Sequence, residues 1–158
     1  MKMYYKQPAD NWHEGLLLGN GRIGAVVFGG TKTEKIALNE DTLWAGYPFK
    51  TQQKMPEDYQ QQIIELTKQK RFDDATKLTE EFFGESTDSQ MYVPFGNLFL
   101  EMTEEEEISE YERELDLETA EIAMRYRNHG SLVERRCLIS EPHQVLVYEI
   151  KAEKPFSL

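Results

Sequence analysis

The sequence predicts a mainly β fold, an antiparallel β-sandwich with a two-helix insertion around residues 56–83. Three observations predict it. After Pro94, consecutive runs alternate apolar and polar side chains with a period of two, which describes strands with one dry and one wet face. Between residues 56 and 83 the period changes to that of a helix. Between Leu16 and Leu38, short apolar runs are separated by glycines and asparagines. Stacking two sheets is the natural way to bury the dry faces. At 158 residues, 39% of them hydrophobic, the chain has enough apolar material for one core and no room for two.

The elements follow in order. Leu16–Leu18 and Ala25–Phe28 flank Gly19-Asn20-Gly21, and Asn-Gly between apolar runs predicts a hairpin with a type I′ turn, positive φ at both central residues. Ile36, Ala37 and Leu38 form a further short strand that leads into Asn39-Glu40-Asp41-Thr42-Leu43-Trp44. Pro56 suits a first helical turn, with Glu57 and Asp58 at the positive end of the dipole. Tyr59, Ile63 and Leu66 then share a face. A second helix places Phe72, Ala75, Leu78, Thr79 and Phe82 on one side and stops at Gly84. Leu98, Leu100 and Met102 alternate with Phe99 and Glu101. Tyr111, Arg113, Leu115 and Leu117 alternate with Glu112, Glu114 and Asp116, and Ala120, Ile122, Met124 and Tyr126 continue the pattern. Turns at Asn128–Ser131 and Glu141-Pro142 lead into Leu132–Ile139 and Val145–Ala152. Residues Lys151–Leu158 read as a link to a further strand, so the sequence is expected to be cut from a longer polypeptide.

Charge narrows the partners. The net charge is −11, concentrated between Glu101 and Glu121, where Arg113 stands against eleven acids. A nucleic-acid partner is disfavoured, because phosphate binding needs clustered Lys and Arg. Glu104–Glu107 reads as a solvated loop, since calcium loops interleave carboxylates with Gly and Asn. No apolar run approaches the roughly 18 residues of a membrane span, and the start lacks a secretory signal. One cysteine, Cys137, fits a reducing compartment. A cytoplasmic protein without membrane contact is the expectation.

Few motifs carry chemistry. Gly19-Asn20-Gly21-Arg22-Ile23-Gly24 spells the dinucleotide fingerprint, but the third glycine must open a helix, and Gly24 opens a β-rich run instead. His13, His129 and His143 lack metal-ligand spacing, and Cys137 reads as a buried strand thiol rather than a nucleophile. No metal and no cofactor is expected. Asn39, Glu40, Asp41 and Trp44 are the candidate substrate-binding residues, a polar loop with a stacking aromatic. The structural alternative has Asn39 and Asp41 capping a turn and Trp44 filling the core. Adjacent carboxylates on a strand point to opposite faces, which argues against Glu40 and Asp41 as a catalytic pair.

At these residues the sequence resembles the N-terminal domain of glycoside hydrolase family 95, the α-L-fucosidases and related α-L-galactosidases. The resemblance is carried by Trp12, Leu18–Ala25, Phe28-Gly29-Gly30, Leu38–Gly46, Tyr92–Leu98, Tyr111–Leu117 and Pro142–Val147, in order over nearly the whole chain. Ala45 stands where Ser is usual, and the run of four glutamates is peculiar to this sequence. The resemblance implies part of a β-super-sandwich, followed in such enzymes by a helical linker and an (α/α)6 barrel that performs inverting hydrolysis with a carboxylic acid and an activated water. Those catalytic positions have no counterpart here, so no catalytic residue is assigned and the chain alone is expected to be inactive. The barrel of the same polypeptide is the implied partner, and a fucosylated or related α-linked glycan the implied substrate. The alternative is an autonomous carbohydrate-binding module, with Trp12, Trp44, Tyr47 and Phe49 as candidate exposed aromatics.

Overall fold

A computed structural model of the chain describes residues 1–45, 57–83, 91–102 and 107–155. They belong to two compact units, Met1–Leu43 with Pro94–Leu158, and Trp44–Val93. The strands, all in the first unit, are β1 (Lys2–Tyr5), β2 (Leu16–Gly19), β3 (Ile23–Val27), β4 (Thr33–Glu40), β5 (Gly96–Glu101), β6 (Ile108–Asp116), β7 (Glu121–Asn128), β8 (Ser131–Ser140) and β9 (Val145–Ala152). They form a five-stranded sheet in the order β1-β6-β7-β8-β9 and a four-stranded sheet in the order β2-β3-β4-β5. Every neighbouring pair is antiparallel. The mainly β sandwich that the periodicity predicts is therefore what forms.

Its core follows the period of two. Leu16, Leu18, Ala25, Val27 and Ile36 from one sheet meet Leu115, Ile122, Met124 and Cys137 from the other, with Leu38, Ile139, Leu146 and Tyr148 packed around them. Each fully buried Leu, Ile or Val contributes about 1.5–3 kcal/mol relative to exposure. Cys137 is buried as its strand position predicts, and burial pushes its thiol up to about 12, which makes it a poor nucleophile. The edge strand β5 departs from the pattern. Leu98 and Phe99 point to opposite faces yet are 37% and 52% exposed, so neither face of β5 is dry. The strand β1 was not legible in the sequence; Met3 pairs with Leu115 and thereby covers the β6 edge.

The β2–β3 connection corrects one expectation. Gly19 pairs with Gly24 and the Asn20 N–H donates to the Ile23 carbonyl (3.2 Å), so the turn centres on Gly21 and Arg22, and positive φ is found at Gly21 (φ 92°) and not at Asn20. The turn is thus not a two-residue type I′. The Asn20 side-chain carbonyl accepts the N–H groups of Arg22 (3.0 Å) and Ile23 (2.7 Å), which closes the turn from one side.

The core also holds charges. Glu34, Arg113 and Arg135 are each at most 1% exposed. A bulge in β6 between Ser109 and Glu112, with Glu110 at φ 54°, turns Tyr111 inward, where its ring stacks on Tyr126 at 6.1 Å. Glu34 accepts from the Gly29 N–H (2.8 Å) and from the Tyr148 hydroxyl (2.8 Å), and lies 3.7 Å from Arg135. Arg135 donates to the carbonyls of Gly30 (2.6 Å) and Thr31 (3.0 Å) and to the Tyr126 hydroxyl. Arg113 donates to the Gln7 carbonyl (2.8 Å), and its guanidinium lies over the Tyr5 ring. Burial pushes the Glu34 carboxyl above the usual range, partly offset by Tyr148, Gly29 and Arg135. These bonds tie the β3–β4 turn to the five-stranded sheet at one end of the sandwich.

The second unit carries the two predicted helices, α1 (Glu57–Lys68) and α2 (Phe72–Phe83), each with acidic residues in its first turn. They pack as a hairpin joined through Lys70 at φ 60°. Ala75 is buried, but α1 has no buried residue, and Phe72, expected on the inner face, is 60% exposed because it opens the helix. In the same unit Trp44 bridges Tyr92, and the rings meet edge to face at 5.0 Å. Pro56, Gly84, Tyr47, Phe49 and Glu104–Glu106 lie outside the described residues.

Candidate functional site

Opposite the buried charges, the other end of the sandwich gathers three of the segments singled out in the sequence: Gly19–Arg22, Asn39–Thr42 and Pro142–Gln144. The strand lengths bring them there, since β2 ends at Gly19, β4 at Glu40 and β8 at Ser140. Asn20 is the link between sheets. Its side-chain amide donates to the Ser140 carbonyl (3.2 Å) and to Gln144 Oε1 (3.3 Å), while its own carbonyl oxygen closes the β2–β3 loop. Gln144, at φ 53°, also donates to the Glu141 carbonyl. His143 Nδ1 lies 3.0 Å from Ser140 Oγ within the same turn, as expected for a turn histidine.

The predicted loop residues take distinct places. Glu40, at the end of β4, receives Arg22 Nε on Oε1 (2.7 Å) and both the Thr42 N–H (3.0 Å) and hydroxyl (2.7 Å) on Oε2. The Asp41 N–H donates to the Arg22 carbonyl (3.0 Å), which clasps the two segments at the backbone as well. Glu40 therefore caps this turn through its own carboxylate. Asn39 sits one strand position earlier, on the outward face, opposite Gly24. Trp44 belongs to the second unit and is 52% exposed, so it does not fill the sandwich core. Trp12, in a short 3-10 turn capped by Asn11, is 55% exposed.

Glu40 is engaged here as a hydrogen-bond acceptor. The Arg22 guanidinium, with help from Thr42, holds the Glu40 carboxyl below the ordinary glutamate value of 4.5. A group meant to donate a proton near neutrality needs the opposite shift. Because the folded value is lowered, the clasp is present above pH 4.5 and is lost as pH falls through the folded value. In an NMR titration, the Thr42 amide resonance is expected to move with a midpoint below 4.5. A midpoint at or above that value would contradict the clasp. Gly24 lies inside strand β3 and opens no helix, in keeping with rejection of a dinucleotide site. Among the described residues no group of three His, Cys, Asp or Glu converges as for a metal, and no helix is long and apolar enough to cross a membrane.

Comparison with known families bears on these segments. A family model described as the glycosyl hydrolase family 65 N-terminal domain matches residues 3–158. The chain belongs to this family. The match of this N-terminal glycosyl hydrolase domain takes in both compact units. Among curated relatives, "Alpha-L-fucosidase 2" of Arabidopsis thaliana is 35% identical over 162 residues, covering 100% of this chain and 19% of the relative. "Probable alpha-fucosidase A" of Aspergillus niger is 30% identical over 138 residues, covering 85% of this chain and 17% of the relative. The protein of the same name from Aspergillus oryzae is 26% identical over 151 residues, covering 94% and 21%. This N-terminal domain thus spans about a fifth of the length of the relatives it matches. The resemblance to α-L-fucosidases drawn from the motifs holds, although the matching model carries the family number 65 rather than 95.

Sequence reasoning missed Arg22, Asn20 and Thr42 as the partners that organise this end. The signal was present in part: Asn20 and Arg22 stand in the glycine-flanked hairpin, but nothing local says that Glu40, eighteen residues on, returns to Arg22.

Proposed function

We propose that residues 1–158 are one non-catalytic N-terminal domain of a longer α-L-fucosidase-like inverting glycoside hydrolase. In this reading the domain packs against an (α/α)6 barrel of the same polypeptide, and the Asn39, Glu40, Asp41 and Trp44 segment helps to shape the sugar pocket of that enzyme from outside. The observation that carries it is the match of the whole chain to a fifth of a plant α-L-fucosidase. The ionised, fully engaged Glu40 supports a binding or shaping role over a catalytic one. The lone, buried Cys137 supports a reducing, cytoplasmic setting.

The test is hydrolysis of an aryl α-L-fucoside by this chain and by the whole enzyme side by side. Turnover by the whole enzyme alone is the expected result. Turnover by the chain itself would overturn the non-catalytic reading, and inactivity of both would remove the fucosidase assignment. The exposure of Trp12 and Trp44 favours a second reading, an autonomous carbohydrate-binding module. Tryptophan fluorescence of the chain that stays flat up to millimolar fucosylated glycan would dismiss it.

A further inference from the structure

The most fully constrained exposed side chain at the loop end is Arg22, to which the sequence analysis assigned no role. Its backbone is held on both sides: the N–H donates to Asn20 Oδ1 (3.0 Å), and the carbonyl accepts from the Asp41 N–H (3.0 Å). Its side chain is held through Nε by Glu40 Oε1 at 2.7 Å, and Glu40 is in turn fixed by two donors from Thr42. Even so, 58% of the Arg22 side chain faces solvent. A long, flexible side chain has thus been stripped of most of its rotamer freedom while keeping an accessible guanidinium, which lowers the entropy lost when a ligand is taken.

From this arrangement we infer that Arg22 is a substrate-binding residue, its guanidinium donating to neighbouring hydroxyl oxygens of a neutral sugar, with Glu40 as the positioning residue that aims it. The inference rests on the reading that this loop end borders the sugar pocket of the whole enzyme. Local charge selects the ligand class. Arg22 is already neutralised by Glu40 at 2.7 Å. A carboxylate or phosphate arriving at this place must compete with Glu40 for a cation that is already paired, whereas a neutral polyol meets a donor fork without that competition. Asn39 plays no part in the fork, since it lies on the opposite face of β4.

The experiment compares wild type, Arg22→Gln, Arg22→Lys and Glu40→Gln in the whole enzyme, with Arg71→Gln as the control. Arg71 is an equally exposed arginine paired with Asp74 on α2, away from the loop end in sequence and role. Steady-state kinetics are measured on a panel of aryl glycosides, α-L-fucoside, α-L-galactoside and α-D-glucoside, together with the melting temperature. Arg22→Gln is expected to raise KM about tenfold or more, as for loss of hydrogen bonds from a charged donor. Arg22→Lys keeps the charge but not the fork and should recover only part of that loss. Glu40→Gln should raise KM less than Arg22→Gln and remove the pH dependence that Glu40 titration confers on KM. Arg71→Gln should match wild type.

An Arg22→Gln enzyme with wild-type KM overturns the inference. So does a lowered melting temperature with KM unchanged, which makes Arg22 a structural contact. If wild type ignores the fucoside but turns over another glycoside with an Arg22-dependent KM, the fucosidase reading fails and the role of Arg22 stands. If no glycoside is turned over, saturation-transfer NMR with the same panel decides. Absence of binding, or binding that survives Arg22→Gln, overturns the inference.

Discussion

Arg135→Met is expected to destabilise the sandwich by about 3–5 kcal/mol, a large share of the total stability of a domain this size. Arg135 and Glu34 face each other at 3.7 Å with both side chains fully buried. Removing the guanidinium leaves the Glu34 carboxylate with the Gly29 N–H and the Tyr148 hydroxyl but no opposing cation. It also strips the Gly30 and Thr31 carbonyls and the Tyr126 hydroxyl of their donor. Replacing both partners, Glu34→Leu with Arg135→Met, removes the uncompensated charge and should cost clearly less than the two single changes added together. Urea denaturation of the four proteins gives the answer. A single-variant loss below about 1 kcal/mol, or strict additivity, would show that water or relaxation already compensates the pair.

Gly30→Ala is expected to cost about 2–4 kcal/mol, through overpacking that has no room to relax. A β-carbon built there falls 2.0 Å from the Thr33 carbonyl oxygen, and backbone in a tight turn cannot step aside. The neighbouring Gly29 adds a second constraint, with φ 79° and a prospective contact of 2.5 Å to the Tyr111 hydroxyl. Gly21→Ala is the informative comparison. It has φ 92° but open space around it, so only backbone strain of about 1–2 kcal/mol applies. Thermal or chemical unfolding should therefore rank Gly21→Ala as the milder change. The reverse order would mean that the β3–β4 turn rearranges freely, and that the buried Glu34–Arg135 bonds do not hold it.

The same residues explain why parts of this protein were readable in advance. Strands β6, β7, β8 and β9 came through at close to their observed bounds because their inward and outward faces differ, and such a strand must alternate. The helices came through because their apolar spacing and acidic first turns are local properties. Strand β1 escaped notice because its four residues are mostly exposed and owe their conformation to pairing with β6. Edge strand β5 looked amphipathic in sequence, yet the structure gives its apolar side chains little to pack on. Arg113 fell in phase with Leu115 on the inner face, and Arg135 with Cys137, but charge alone argues for solvent. Bonds to Gln7, Gly30 and Thr31, all more than a hundred residues away, join Glu34 and the Tyr126 hydroxyl in compensating their burial.

By itself the sequence determined the fold class, the helical insertion, the burial of Cys137 and the membership of an N-terminal glycosyl hydrolase domain. All four rest on short-range periodicity or on motifs read in order along the chain. Only the tertiary structure decided that Glu40 is clasped by Arg22 and Thr42, that Asn20 joins the β2–β3 and β8–β9 turns, and that Trp44 stands in a separate unit from Glu40. These depend on which strand ends lie side by side. That is fixed by sheet order and register, through contacts between residues far apart in sequence, and no local pattern encodes it.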